Sequence, residues 1–127
     1  MSDGFVIDAS ALLAMLQGES GSDAVAMILA TTVVSAVNWS EVMQKARSHR
    51  VDVVGLEEDL THLGVEFASF TTVEASVAAD IWHRGARALA LADRACIATA
   101  RVRGLPVVTA DRAWAALDLD IEVRVIR

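Results

Sequence analysis

Phe5-Val6-Ile7-Asp8-Ala9-Ser10-Ala11-Leu12-Leu13-Ala14-Met15-Leu16 is the stretch on which the fold turns. Phe5-Val6-Ile7 is aromatic and β-branched, and too short for a helix, so it reads as a buried strand that Asp8 ends. From Ala9 to Leu16 the apolar residues run on at helical length, with Ser10 close to the start. A strand that passes through one polar residue into a helix is the beginning of a β-α-β unit.

The rest of the chain repeats that alternation. Residues 17–21 form a turn, and 22–30 are expected to be helical with Ser22 as the cap. The β-branched segment 31–35 predicts a second strand. A helix over 36–49 would turn Val37, Met43 and Ala46 inward and Lys45, Arg47 and Arg50 outward. A further helix over 53–63 breaks at Gly64, and 65–68 is a short strand. Thr72 is expected to cap a helix over 73–87, with Glu74 in its first turn favouring the positive helix end. The next helix runs from Leu91 to Arg103 and stops at Gly104. Residues 106–109 make a strand, again closed by an acid, Asp111. A short helix over 112–117 and a last strand over 121–126 finish the pattern. Apolar strands alternating with helices of this length imply a mostly parallel sheet with helices on both faces.

The chain has 127 residues, 54% of them apolar, with one proline, and we read 1–127 as a single domain. No apolar run approaches the roughly 18 residues that span a bilayer. The start, Met1-Ser2-Asp3-Gly4, is acidic and leads into no signal-like stretch, so a cytoplasmic location is expected. Cys96 is the only cysteine and lies among alanines, where it reads as a small buried hydrophobe. One cysteine and three scattered histidines offer no zinc-ligand spacing. His49, His62 and His83 lie in polar helical stretches and read as surface residues. The net charge of −6 excludes a protein that coats nucleic acid, but not an enzyme that touches RNA at one spot through bound cations. The high apolar share points to a dimer or a dedicated partner.

In open parallel sheets, function collects beyond the carboxyl ends of the strands. Asp8 and Asp111 stand there. Each alone reads equally as a helix cap, but two such acids after very apolar strands point to a site. Glu41, in Asn38-Trp39-Ser40-Glu41-Val42, and Asp93 are helical. Residues at i+3, i+4 and i+7 from Asp93 are Cys96, Ile97 and Ala100, so this carboxylate faces inward. Either a cap or salt bridge, with Arg94 or Arg112 as partner, or a cation must offset its burial. Clustered carboxylates suit Mg²⁺, and two ions about 4 Å apart can stabilise both the attacking and leaving oxygens of phosphodiester cleavage.

Val6-Ile7-Asp8-Ala9-Ser10-Ala11-Leu12-Leu13-Ala14 resembles the first motif of PIN domains, in particular the VapC toxins of bacterial toxin–antitoxin pairs. Ser40-Glu41-Val42, Leu91-Ala92-Asp93-Arg94-Ala95-Cys96-Ile97-Ala98-Thr99-Ala100 and Leu105-Pro106-Val107-Val108-Thr109-Ala110-Asp111 match the other three motifs in order. Ala92 stands where glycine is common. The resemblance implies a PIN-like three-layer α/β/α fold around a mostly parallel sheet of four to five strands. It implies an Mg²⁺-dependent ribonuclease, with Mn²⁺ as a substitute ion. Asp8 and Asp93 would be the principal metal ligands, with Glu41 and Asp111 completing the cluster directly or through water. Thr109 would orient a carboxylate or a water, and Ser10 likewise, with capping the competing reading for both.

The resemblance also implies an RNA substrate, a homodimer and a cognate VapB-type antitoxin lying in a groove beside the site. Leu12, Leu13, Met15, Leu16, Val25 and Ile28 are candidate groove walls. Lys45, Arg47, Arg50, Arg84, Arg87 and Arg112 are candidate RNA contacts. Trp39, Trp82 and Trp114 read as core or interface anchors, with core preferred. Three other readings compete. A phosphoacceptor receiver domain needs adjacent acids after the first strand and a late lysine, but Lys45 is the only lysine. A haloacid-dehalogenase-type phosphatase needs a second aspartate where Ser10 stands. A non-catalytic PIN-shaped binding module would lack one or more of the four acids.

Overall fold

The structure, a computed structural model, describes residues 4–127; Met1-Ser2-Asp3, on which the reading of an acidic start rests, lie outside the described residues. Five strands form one sheet: β1 (Phe5–Ile7), β2 (Thr32–Ser35), β3 (Glu66–Ala68), β4 (Val107–Thr109) and β5 (Val123–Val125). Their order is β3-β2-β1-β4-β5, and every pairing is parallel. Val6 sits opposite Val33 on one side and Val107 on the other, which fixes the register of the three central strands.

Alternation along each strand divides the core in two. Val6, Val33 and Val107 pack with Ile81, Cys96, Ile97 and Trp114. Their neighbours Ile7, Val34 and Val108 pack on the other face with Leu12, Val25, Val42 and Leu60. The first face is therefore covered by α5 (Thr72–His83) and α6 (Leu91–Arg103). The second is covered by α1 (Ala9–Leu16), α2 (Ser22–Ile28), α3 (Ala36–Ser48) and α4 (Leu56–His62). This is the expected three-layer α/β/α architecture, with all five strands parallel.

Several local expectations change. Ser22 does not cap α2; Gly21 occupies that position at φ +94° with no side-chain bond, and the helix stops at Ile28 before a 3-10 turn over Leu29–Thr31. Gly55, at φ +77°, starts α4 later than expected. Thr71 rather than Thr72 caps α5: its hydroxyl accepts from the Val73 N–H, and Glu74 reaches back to the Thr71 N–H in a capping box. That helix ends at His83, not residue 87. On α3 the buried face is Asn38, Trp39, Val42 and Ala46, while Val37 and Met43 are only partly covered. Gly104, at φ +67°, ends α6 as expected. The short segment after β4 is a 3-10 turn over Arg112–Ala116.

Candidate active site

Strand order decides where a site can form. The chain moves from β1 outward through β2 to β3, then returns to place β4 on the other side of β1. The carboxyl ends of β1 and β4 flank this switch point, where a crevice opens in parallel sheets. Asp8 follows β1 and Thr109 ends β4.

Asp8 is 4% exposed and fully bonded. It is the N-cap of α1, accepting from the Ala11 N–H at 2.9 Å through Oδ1. The Ser10 hydroxyl donates to its two oxygens at 2.8 and 2.9 Å, and the Thr109 hydroxyl donates to Oδ2 at 2.6 Å. Both hydroxyls also accept: Ser10 Oγ from the Ala110 N–H and Thr109 Oγ1 from the Asp111 N–H, each at 3.0 Å. Two relays thus tie the carboxylate after β1 to the backbone after β4. Capping and carboxylate orientation are not rivals here. Thr109 does both, closing the end of β4 through the Asp111 N–H while donating to Asp8, whereas Ser10 caps nothing and bridges the two loops.

Asp111 accepts from the Ala113 N–H at 2.9 Å and caps the 3-10 turn, leaving its side chain exposed. Glu41 accepts from Asn38 Nδ2 at 3.3 Å. Asp93 stands in the first turn of α6. Neither arginine expected beside it pairs with it: Arg94 donates to the Ala78 and Leu89 carbonyls, and Arg112 to the Arg127 carbonyl. The salt-bridge alternative for Asp93 therefore falls.

The acids feel one another. Burial pushes the Asp8 carboxyl up to about 6; its hydrogen bonds from Thr109, Ala11 and Ser10 pull back, and the charge of Asp93 adds to the rise. Burial likewise lifts Asp93 above the ordinary carboxylate range. The Ala90 backbone lowers it, the charges of Glu41 and Asp111 raise it, and Lys45 lowers it. All four acids therefore lie within one electrostatic neighbourhood, with Asp93 at its hub. Among the described residues, no three Asp, Glu, His or Cys side chains already converge in chelating geometry. The donor set is all oxygen, which suits a hard ion such as Mg²⁺ or Mn²⁺. Cys96 adds no sulfur: it is fully buried, and burial followed by the charges of Asp8, Asp93 and Glu41 pushes its thiol well above the ordinary value.

A PIN domain family model matches residues 5–119. The chain belongs to the PIN domain family. Solved structures share its fold. A toxin–antitoxin complex from Klebsiella pneumoniae aligns with a TM-score of 0.78 at 17% identity, covering 98% of both chains. DNA-bound VapBC from Salmonella typhimurium aligns at 0.73 and 17%, again covering 98% of both. FitAcB from Neisseria gonorrhoeae aligns at 0.69 and 22%, covering 96% of this chain and 97% of that one. No curated protein sequence matches.

Other candidates distribute unevenly over this PIN domain. All three histidines and all six candidate RNA-contacting cations are exposed. Arg84 pairs with Asp80 at 3.0 Å, and Arg87 lies over the Trp82 ring at 4.7 Å, so both are engaged away from the acids. Of the six cations, Lys45 alone acts on Asp93. Leu12, Leu13 and Val25 belong to the core and cannot line a groove, while Met15, Leu16 and Ile28 remain half-buried. Trp39 and Trp114 are core residues. Trp82, at 37% exposed, is not, because it stands at the open end of α5. Asn38 was not singled out by the sequence. Its signal is a polar residue one helical turn before Glu41 on the same face.

Proposed function

We propose that the chain is an Mg²⁺-dependent endoribonuclease, with Mn²⁺ able to substitute, and the toxin of a type II toxin–antitoxin pair inhibited by a cognate VapB-type antitoxin. One observation carries this reading: a buried Asp8, held by two hydroxyls, shares a field with Asp93, Glu41 and Asp111 at the switch point of the sheet. Family membership supports it, as does the fold shared with chains solved in toxin–antitoxin complexes.

In this reading Asp8 and Asp93 are the principal metal ligands, and Glu41 and Asp111 complete the cluster. Thr109 and Ser10 stop the Asp8 carboxylate from rotating. A bound divalent ion would neutralise charge on an RNA phosphodiester and generate a nucleophile from water. The chain's own part is to hold four oxygens of like charge at one edge and to keep Asp8 ionised through its hydrogen bonds. Lys45, beside Asp93, is the cation best placed to meet the RNA backbone. The half-buried Met15, Leu16 and Ile28 offer the antitoxin an apolar contact, and an arginine on the antitoxin would be drawn to the acidic cluster. We assign the protein to the cytoplasm, as a homodimer. Among the described residues no helix is long and apolar enough to cross a membrane.

The test is cleavage of a structured RNA by the purified protein. Mg²⁺ or Mn²⁺ should support it, Asp8→Asn and Asp93→Asn should abolish it, and full activity in excess chelator would sink the metal mechanism. Expression without antitoxin should halt growth. The alternative, a non-catalytic PIN-shaped binding module, would lack one or more of the four acids, all of which this chain has, and it requires that no metal support cleavage.

A further inference from the structure

Asn38, Glu41 and Lys45 stand at i, i+3 and i+7 on α3 and so share one face of that helix. Asn38 is 1% exposed. Its Nδ2 donates to the Ala92 carbonyl at 2.9 Å and to Glu41 Oε1 at 3.3 Å. Both partners only accept, which settles which end of the amide is nitrogen. The other end, Oδ1, is buried and has no hydrogen-bond partner among the described residues. A buried amide with one orphaned end costs stability that an apolar residue of similar volume would not.

Ala92 immediately precedes Asp93 in the first turn of α6. One side chain therefore touches both the Glu41 carboxylate and the turn that carries Asp93. We propose that Asn38 is a positioning residue for Glu41, tying its carboxylate to the first turn of α6 and so setting the separation between two acids of the cluster. The inference rests on the metal-cluster reading above. Holding Oε1 leaves Oε2 as the oxygen free to face a cation. A purely structural tie between α3 and α6 would act on stability and leave metal affinity alone, whereas a positioning residue acts on metal affinity in a protein that stays folded.

The experiment measures Mn²⁺ binding to the full chain by calorimetry, with melting temperatures in chelator, for wild type, Asn38→Leu, Asn38→Ala and Asp8→Asn. Alanine covers the case in which leucine overfills the site. Asn38 substitutions are expected to weaken Mn²⁺ about 10-fold while the protein remains folded. In chelator, the two Asn38 amide protons should be well separated in ¹⁵N spectra, and Glu41→Ala should shift one of them. Wild-type Mn²⁺ affinity in folded Asn38 variants overturns the inference, and so do amide protons indifferent to Glu41→Ala. If Asp8→Asn still abolishes Mn²⁺ binding in those cases, the cluster reading stands without it. Mn²⁺ binding that no substitution touches overturns both.

Discussion

Replacing Asp8 by asparagine should stabilise the metal-free protein at neutral pH while abolishing its activity. The Asp8 carboxyl is raised from 3.8 to about 6, chiefly by burial. Its folded-state pKa lies above the unfolded one, so the folded state holds the proton more tightly. Its contribution is favourable below pH 3.8 and is lost as the pH climbs through about 6. At about 1.4 kcal/mol per unit, ionised Asp8 costs the fold about 3 kcal/mol at pH 7.5. Asparagine removes that cost. It keeps one acceptor for the Ala11 N–H but turns an amide nitrogen toward the hydroxyls that now donate to Oδ2. Losing those bonds returns roughly 1–2 kcal/mol. The net gain is about 1–2 kcal/mol, or about 4–8 °C in melting temperature for a domain of this size. Thermal unfolding in chelator at pH 7.5 and pH 4.5 reads it. The gain should be present at pH 7.5 and vanish or reverse at pH 4.5, where wild-type Asp8 is protonated. Added Mg²⁺ should raise the wild-type midpoint and leave the variant unmoved. An Asp8→Asn protein less stable than wild type at both pH values would refute the argument, since the charge would then not be a burden on the fold.

Thr109→Val removes the 2.6 Å donor to Asp8 without changing side-chain shape. Cleavage at limiting Mg²⁺ should fall about 10- to 100-fold, with Thr109→Ser retaining most of the wild-type rate. Metal-supported cleavage should weaken as the pH falls through about 6, where protons compete for Asp8, and raising Mg²⁺ should move that midpoint to lower pH. Gly64, at φ +103°, would place a Cβ 2.7 Å from the Ala30 Cα, so Gly64→Ala should cost on the order of 2 kcal/mol or more in urea unfolding.

The fold was legible wherever apolar strands met clear stops. β1, α1 and α6 fall where the residues place them, because Asp8 and Gly104 each end an element by a local mechanism. The end of α5 was not legible. Residues 84–87 are compatible with helix, but the chain must turn after α5 for α6 to begin with Ala92 against Asn38. Gly85, at φ +108°, lies in that turn. On α3 Ala46 is buried as expected and Val37 and Met43 are half-buried, but apolarity as the guide misses the fully buried Asn38 on the inward face. At the site, acids after strands and an inward-facing Asp93 could be read from order and periodicity alone. The role of Ser10 could not: the backbone N–H that fixes it belongs to Ala110, one hundred residues away in sequence.

The ion pairs of the protein lie elsewhere. Arg84 and Arg101 meet Asp80, Arg103 meets Glu66, Arg124 meets Glu122 and Arg127 approaches Glu19. Among the described residues none reaches Asp8, Glu41, Asp93 or Asp111. Negative charge without an ion-pair partner is therefore present at the switch point, on these four acids, as well as elsewhere among the described residues, on Glu57, Glu58 and Asp59 in the first turn of α4. Burial first, and neighbouring carboxylate charge second, raise the proton affinity of Asp8 and Asp93, so both lower stability at neutral pH, the opposite of what a salt-bridged acid does. On the proposed metal reading, a cation entering the same field would offset that cost. Under that reading a divalent ion and an arginine of the proposed antitoxin would both supply that charge, so activation and inhibition would compete for one electrostatic feature rather than act through separate sites.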